Sequence, residues 1–534
     1  MNGCHKKSEL AIVAAGMVAY ASIVLSHLDY VPLWDGRFYA DCILAAAERL
    51  SFGALGCAGH PSHAYVFLVA MAVRLAPGSL EGAAIVVANV LMGLIAIAAL
   101  GRLLGHVLPG RQWATERALA CCAFAVHPLF TTSTLQPNVD FGTLVFALPC
   151  LCALLERRVL TAAVLGCLVI FTKETGVVVY TTLTLSVLFF VLARPAATWR
   201  ETLARLKPFV PLAMPTVLGL AILVDHNFDL GMVALLSSWS PIRAEAGVMG
   251  AQLVDAVDVS YFTGLLILNF MWVPTIVIAT DLALGTVARL RGRADPALLS
   301  SSGPNRAIVY GTLLAMLILT RHKTFSNFRY FLTLYPLLIG VFAVAAATRV
   351  GWRPARLGLI GAVVVLFAAS NFRTIDPVSR AAFGTWPFGT HDLIDVTATT
   401  GECCGHGRDQ LVYNFEFVHV ASLQDRALRA IRPTADTVLS MDHEANWLTI
   451  GRVDPITFSR TLRRSGTIEP RVLDTRALAM AASLPDQIFY FAYENVENES
   501  SLAWLRERYD VTGEFDFDER GYRLRVYRLT RREG

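Results

Sequence analysis

The chain has 534 residues, of which 55% are hydrophobic and only 16% are charged. Soluble globular proteins carry about 25% charged residues, so this composition excludes an ordinary soluble protein. The net charge of +4 is small and no long block of Lys and Arg occurs, which argues against a nucleic-acid-binding protein. The composition instead indicates the lipid bilayer as a partner.

The hydrophobic and charged residues are distributed unevenly. From Leu10 to about Phe372, apolar runs recur that are long enough to cross a hydrocarbon core of roughly 30 Å. From Arg373 onward the charge density rises and these runs stop. We therefore predict a transmembrane domain over residues 1–372 and a soluble domain over residues 373–534.

Arginine clusters between the apolar runs predict how the chain is oriented in the membrane. They recur two runs apart, and the positive-inside rule assigns such clusters to the cytoplasm. The arginines used are Arg111, Arg117, Arg157, Arg158, Arg194, Arg200, Arg205, Arg289, Arg291, Arg293, Arg349, Arg353 and Arg356. The first apolar run is too long for the core of a signal peptide, so we expect an uncleaved span with a cytoplasmic N-terminus.

With each of these clusters on the cytoplasmic side, successive apolar runs cross the membrane in alternating directions, which predicts about eleven spans. The run His63–Ala76 is short for a span and contains Arg74, so we interpret it as a helix in or against the outer leaflet. The predicted spans are 10–28, 82–104, 117–135, 139–156, 159–172, 175–193, 208–225, 261–282, 306–320, 330–348 and 356–372. An odd number of crossings places the soluble domain outside the cytoplasm.

The soluble domain mixes two patterns, which together predict a small α/β domain. The strand-like runs are Leu411–Tyr413, Thr437–Met441, Gln487–Tyr493 and Tyr522–Tyr527, and the helical runs are Ala421–Ile431 and Leu502–Tyr509. The sequence contains no glycine-rich phosphate loop, nucleophile elbow or internal repeat.

The first outside loop, residues 29–81, carries the strongest chemical signal. Three carboxylates, those of Asp29, Asp35 and Asp41, follow the first span directly. A carboxylate at a lipid–water boundary is partly desolvated, which raises its pKa and suits it to general-base chemistry. The alternative is that these acids only solvate the loop.

Five short segments resemble the GT-C glycosyltransferases, most closely the branch of the protein O-mannosyltransferases and the lipid A aminoarabinose transferase. In that branch a D-E-x-x-Y-A segment opens the first loop, and a K-P-P-x-x-Y-W segment follows on a juxtamembrane helix. The corresponding segments are Asp35–Ala40 and His60–Tyr65, followed by Phe124–Asp140, Phe171–Gly176 and Arg329–Pro336. All five lie on the face that the charges assign to the outside.

The chain departs from the family pattern in its first loop. Gly36 stands where the family often has Glu, so a paired-acid metal site is not supported and we predict no metal ligands. His60 replaces a lysine or an acid, and Ser62 replaces the second proline, which leaves the role of His60 open. Some members of the class need a divalent cation and others do not, so a divalent cofactor also stays open.

The resemblance implies transfer of a sugar from a polyprenyl-phosphate donor to a hydroxyl of a glycan, lipid or protein acceptor on the outer face. This chemistry needs a base for the acceptor proton, cationic donors for the leaving phosphate and an apolar groove for the lipid tail. The composition, rich in Ala and Arg, favours a bacterial inner membrane.

The resemblance also implies roles for particular residues. Asp35 is the candidate base and Asp41 a second candidate, although Asp35 could equally cap the helix that follows it. The candidate ligands of the donor phosphate are Lys173, Arg321, His322 and Arg329. Further candidates are Arg37, His60, Asp140 and Glu174.

Each of these basic and acidic candidates has a structural alternative. Lys173 could extend to the membrane interface without binding a ligand. Arg321, His322 and Arg329 belong to a basic cluster on the outer face, which contravenes the positive-inside tendency and could pair with acids of the soluble domain. Asp140 could cap a helix or pair with a basic side chain.

The cysteines suggest one covalent feature. Cys42 and Cys57 share the first outside loop, so a disulfide between them is one option in an oxidising compartment. Cys403 and Cys404 have no second ligand pair at zinc-site spacing, and we expect no structural zinc.

Three other functions compete with a glycosyltransferase. A transporter or flippase would show inverted repeats and matched broken helices, which the sequence lacks. A non-catalytic envelope assembly protein would be favoured by loss of the loop acids, but these acids are present. An acyltransferase or sugar-polymer ligase is excluded by the resemblance alone.

Overall fold

The computed structural model describes residues 2–28, 35–51, 55–56, 61–76, 80–193, 198–228, 263–291, 303–320, 328–371, 387–388, 391–392, 417–441, 470–493, 499–519 and 522–532. Apolar helices fill the described residues up to 371, and a small sheet lies in the C-terminal third. In chain order the first helices are α1 (Asn2–Leu25), α2 (Asp35–Glu48), α3 (His63–Leu75), α4 (Glu81–Val107), α5 (Ala114–Ala125), α6 (Pro128–Leu135), α7 (Val139–Leu155), α8 (Val159–Ile170) and α9 (Thr175–Leu192). They are followed by α10 (Trp199–Leu206), α11 (Ala213–Phe228), a π-helix (Thr263–Asn269), α12 (Trp272–Leu290), α13 (Gly303–Thr320), a 3-10 helix (Phe328–Phe331), α14 (Leu334–Arg349) and α15 (Arg353–Ser370).

Among the described residues, three helices are long and apolar enough to cross a membrane alone, namely α4, α9 and α15. The bent pair 111–125 and 128–135 would make a fourth span. The other apolar stretches, which include Glu9–Leu25 of α1 and Trp272–Ala288 of α12, have between 10 and 17 residues, whereas a full crossing needs about 20. The eleven spans therefore stay a prediction.

The span predicted over 117–135 is not one continuous helix. The chain bends by 48° between α5 and α6, because a residue before proline disfavours the helical conformation and His127 is extended, with φ −65° and ψ 126°. Pro128 then begins α6, where its missing N–H costs no hydrogen bond. The side-chain amide of Asn371 donates to the carbonyl of Val126 at 2.7 Å. This carbonyl at the break therefore has a hydrogen-bond partner.

The span predicted over 261–282 also differs from the structure. The π-helix Thr263–Asn269 and α12 are separated at Met271, whose φ is 70°. The helical conformation then continues to Leu290, eight residues beyond the predicted end.

The short apolar run His63–Ala76 within the first outside loop forms a helix, α3, as predicted. It packs against α2 and α4 and buries one apolar face that includes Val66 and Val69. The N–H of Ala64 donates to the carbonyl of Phe171 at 2.8 Å, which places the start of α3 beside the end of α8. Its position relative to the bilayer stays a prediction.

Ion pairs join the helix ends that the sequence assigns to the cytoplasm. Arg117 contacts Glu9 at 2.8 Å, and Arg356 contacts the fully buried Glu116 at 2.8 Å. These residues lie near the starts of α1, α5 and α15. The three helices therefore begin at the same end of the bundle, as the predicted alternation requires.

The described residues of the region predicted to be soluble contain a mixed five-stranded sheet, and two short strands precede it. The strands are β1 (Pro387–Phe388), β2 (His391–Asp392), β3 (Val438–Met441), β4 (Arg471–Asp474), β5 (Gln487–Tyr493), β6 (Tyr509–Glu519) and β7 (Tyr522–Arg531), with helices α16 (Phe417–Ile431), α17 (Thr475–Ala479) and α18 (Glu499–Arg508). The sheet order is β4-β3-β5-β7-β6, with β3 parallel to β4 and β5 and with β7 antiparallel to β5 and β6.

Helices cover both faces of this sheet. Leu423 and Leu428 of α16 join the core on one face, and Leu478 and Leu505 of α17 and α18 join the core on the other. Three predicted strand-like runs form β3, β5 and β7, and both helical runs form helices. The run Leu411–Tyr413 lies outside the described residues.

Candidate functional site

Polar side chains meet where α7 begins and α8 gives way to α9. The side-chain oxygen of Asn138 accepts a hydrogen bond from the N–H of Phe141 at 2.7 Å, which caps α7. Asp140 lies in the first turn of this helix, where the helix dipole favours a carboxylate. Lys173 lies in the turn between α8 and α9.

Lys173 forms a buried ion pair with Asp140. The distance from Nζ of Lys173 to Oδ1 of Asp140 is 2.7 Å, and the two side chains are 7% and 8% exposed. The same ammonium lies 4.1 Å from the ring centroid of Tyr330, within the range of a cation–π contact. One lysine therefore couples α7, the turn before α9 and the 3-10 helix Phe328–Phe331.

The charges of this cluster act on two titratable groups outside the predicted spans. Burial lowers the pKa of Lys173, but Asp140, Glu174 and Tyr330 outweigh it, so the pKa lies above the ordinary lysine value. Burial raises the pKa of Tyr39 well above its usual value, and Asp140 and Glu174 raise it further. At neutral pH the site therefore holds an ammonium and a neutral phenol.

Tyr39 connects the first outside loop to this cluster. It lies in the second turn of α2 and is buried, and it interacts electrostatically with Asp140, Glu174, Tyr330 and Tyr65. The first turn of α2 is also close, since a Cβ on Gly36 would lie only 2.1 Å from Cγ of Gln136.

Buried hydrogen bonds hold α3 at the site. The hydroxyl of Tyr65 donates to Oδ1 of Asn89 at 3.1 Å, and Nδ2 of Asn89 donates to the carbonyl of Thr134 at 3.0 Å. A Cβ on Gly142 would lie 2.8 Å from the Tyr65 ring. Helix α3 is therefore held against α4 and α7, and α4 is in turn bonded to α6.

The structure brings together three of the candidates named from the sequence, which are Asp140, Lys173 and Glu174. Both carboxylate oxygens of Asp41 are buried. The backbones of Asp35 and Arg37 lie in α2 and that of Arg329 lies in the 3-10 helix, but their side chains are outside the described part. His60, Arg321 and His322 are outside the described residues altogether, so their roles stay predictions.

Tyr39 and Tyr330 were not among the sequence candidates. Both stand inside segments that resemble the family, four residues after Asp35 and directly after Arg329. Only their proximity to Asp140 and Lys173 assigns them to the site, and this proximity could not be derived from the sequence.

Cys42 in α2 is disulfide-bonded. Five other described cysteines, at positions 121, 122, 150, 152 and 167, are free. Cys57, the partner named from the sequence, lies outside the described residues. Within the described residues, no group of three or more His, Cys, Asp or Glu side chains could hold a metal ion.

No protein-family model matches the sequence, and no curated protein matches it either. Among solved structures, apo ArnT from Cupriavidus metallidurans matches with a TM-score of 0.53 and 15% identity over 98% of both chains. ArnT is a lipid A aminoarabinose transferase with the GT-C fold. The chain therefore has the GT-C fold, as its sequence segments predict, and at this identity the likeness shows the fold alone.

Two oligosaccharyltransferase structures from Archaeoglobus fulgidus match less well. AglB in complex with an inhibitory peptide and a dolichol-phosphate gives a TM-score of 0.44 at 11% identity, over 97% of this chain and 74% of AglB. The oligosaccharyltransferase tethered with an acceptor peptide gives a TM-score of 0.47 at 11% identity, over 99% of this chain and 74% of the other. Scores below 0.5 add no weight to the assignment.

Proposed function

We propose that the chain is a membrane glycosyltransferase that moves a sugar from a polyprenyl-phosphate donor to an acceptor hydroxyl on the outer face of a bacterial inner membrane. One observation carries the proposal: each of the five family-like segments contributes a residue to a single cluster. These residues are Tyr39, Tyr65, Asp140, Lys173 and Tyr330. Segments that are almost 300 residues apart thus converge in a chain with the GT-C fold.

Asp35 is the proposed base for the acceptor hydroxyl. It is the first residue of α2, and the positive end of the helix dipole stabilises a carboxylate there. Positions 35 and 39 are four residues apart and so share one face of the helix, and Tyr39 of this face interacts with the cluster. Asp41 lies on another face of α2, which makes it the second candidate.

Lys173 is a proposed ligand of the donor phosphate. Its raised pKa keeps the ammonium charged, and an ammonium has three N–H donors, so its bond to Asp140 does not exhaust them. Arg329 directly precedes Tyr330, over which Lys173 lies. Arg321 and His322 complete the proposed phosphate ligands, and Arg37, His60 and Glu174 remain further candidates.

The Cys42 disulfide supports an outer-face location for this site, because disulfides persist in oxidising compartments and are rare in the cytosol. The same side receives the soluble domain if the spans alternate as predicted.

The proposal is tested with the purified full-length chain in vesicles that contain polyprenyl-phosphate sugars labelled on the sugar, together with bacterial membrane acceptors. We expect labelled acceptor and free polyprenyl phosphate to appear in equal amounts, and neither to appear in protein-free vesicles. Movement of intact donor between leaflets without its consumption would instead identify a flippase. Binding of donor with neither movement nor consumption would support an assembly protein.

A further inference from the structure

The start of α2 is in contact with the chain at the end of α6. A Cβ built on Gly36 would lie 2.1 Å from Cγ and 2.6 Å from Cδ and Nε2 of Gln136. Real Cβ atoms do not approach other atoms so closely, so any larger residue at position 36 must displace Gln136 or α2. The backbone of Gly36 does not adopt a left-handed conformation, so a small residue is needed at this position for reasons of space.

Gln136 has little freedom to move away. It is 2% exposed, so its side chain cannot turn into solvent. The backbone N–H of Gln136 donates to the carbonyl of Thr132 at 3.2 Å. Nδ2 of Asn138 donates to the carbonyl of Gln136 at 3.4 Å. Both sides of the residue are thus held by the chain around it.

The preceding turn of α6 is fixed as well. Thr134 accepts a hydrogen bond at its carbonyl from Asn89 of α4, at 3.0 Å. Its hydroxyl lies 3.0 Å from the hydroxyl of Tyr20 in α1, and both residues are fully buried. The surface against which Gly36 packs is therefore anchored to two neighbouring helices.

We infer that Gly36 is a positioning residue for Asp35, because it is the small residue that lets the start of α2 pack against Gln136. This inference rests on the proposed function, in which Asp35 is the base. The contact also gives a reason for the departure from the family pattern at position 36, because a glutamate has no room there against Gln136.

The test is a set of four variants of the full-length chain in vesicles: Gly36→Ala, Gln136→Ala, the double variant Gly36→Ala/Gln136→Ala, and the control Gly105→Ala. A Cβ on Gly105 meets nothing within 4 Å, so this control adds the same methyl group to a helix without a clash. Because a displacement of about 1 Å can lower a rate by about 100-fold, we expect Gly36→Ala to lower kcat by about 10- to 100-fold while KM for the donor changes by about twofold or less.

The double variant is the decisive comparison. Truncation of Gln136 opens the space that the new methyl group needs, so the double variant should recover most of the kcat that Gly36→Ala loses. Gln136→Ala alone leaves position 36 unchanged and should lose less kcat than Gly36→Ala. The control should match the wild type. Wild-type kcat in Gly36→Ala, or a double variant as slow as the single one, would overturn the inference while the proposed function stands.

A measurement that does not depend on activity tests the contact separately. The melting temperature should fall in Gly36→Ala, and the fall in the double variant should be smaller than the sum of the falls in the two single variants, because the clash is removed. Additive falls would contradict the contact itself. A wild-type chain that transfers no sugar, with the melting temperatures as expected, would overturn the proposed function and the role of Gly36 in it, but not the packing.

Discussion

The side chains of Lys173 and Asp140 form an ion pair of 2.7 Å at a place where both are almost fully buried. They come from segments 33 residues apart, and the pair fixes the turn before α9 against the start of α7. Burying one charge without the other is costly, because its lost hydration is not replaced. The pair is therefore both an anchor between helices and the charged part of the proposed site.

Removing one member of this pair should destabilise the chain strongly. We expect Asp140→Asn to lower the free energy of unfolding by about 3–5 kcal/mol, the range for a broken buried ion pair. The matched control is Asp516→Asn, which breaks the exposed pair with Arg525 and should cost about 1 kcal/mol or less. Denaturant unfolding in detergent measures both, and similar losses for the two variants would contradict the buried pair.

The same pair predicts a particular dependence on pH. The pKa of Lys173 is raised in the folded chain above the ordinary lysine value of 10.5, so the folded state holds its proton more tightly than the unfolded state. Its stabilisation is complete below pH 10.5 and is lost as the pH rises through the folded pKa. The stability difference between the wild type and the double variant Lys173→Met/Asp140→Asn, which leaves no unpaired charge, should therefore be constant from about pH 7 to 9. A difference that already shrinks in this range would refute the assignment.

The break between α5 and α6 depends on Asn371. This buried amide donates to the carbonyl of Val126 at 2.7 Å and accepts a hydrogen bond from the hydroxyl of Thr131. Asn371→Ala leaves both groups buried without these partners and should cost about 1–3 kcal/mol. Thr348→Ala removes a hydroxyl bonded only within its own helix and should cost about 0.5 kcal/mol. Equal melting temperatures for the two variants would argue against the role of Asn371.

Much of the helical part was predictable from the sequence because hydropathy reports the positions of the helices. The bend at His127 was missed because average hydropathy does not register that Pro128 disfavours a helical conformation at the residue before it. Strand β6 was missed because Asp516 and Asp518 make it read as polar. Among the described strands it pairs with β7 only, and Arg525 lies 2.7 Å from Asp516 across the two strands. Local patterns do not contain such cross-strand partners.

The candidate site was predictable to a similar degree. Asp140, Lys173 and Glu174 were named because they stand in family-like segments. The pairing of Lys173 with Asp140 and the contact of Gly36 with Gln136 depend on the packing of distant helices, which one sequence does not reveal. The sequence shows that Asp35 and Tyr39 are spaced to share one helix face. It does not show which residues Tyr39 contacts.

The disulfide of Cys42 gives a prediction about the first outside loop. In protein purified without reductant, we expect mass spectrometry to find a peptide that joins Cys42 to Cys57, and no alkylation of Cys42 before reduction. Cys121, Cys150 and Cys152 are free and buried, so they should react only after unfolding and serve as internal controls. An alkylated Cys42 in the folded, unreduced protein would contradict the bond.

The measurement that tests the central claim most directly is the initial rate of sugar transfer from a saturating polyprenyl-phosphate sugar by the wild type and by Asp35→Asn at equal amounts of folded protein. Loss of a general base lowers a rate by about 10²–10⁴-fold. Glu81→Gln, at the exposed start of α4, is the matched control and should keep the wild-type rate. The account predicts transfer by the wild type and the control and a loss of at least about 100-fold in Asp35→Asn. Transfer by Asp35→Asn at the wild-type rate would move the base to another acid, and the absence of transfer by the wild type would contradict the glycosyltransferase itself.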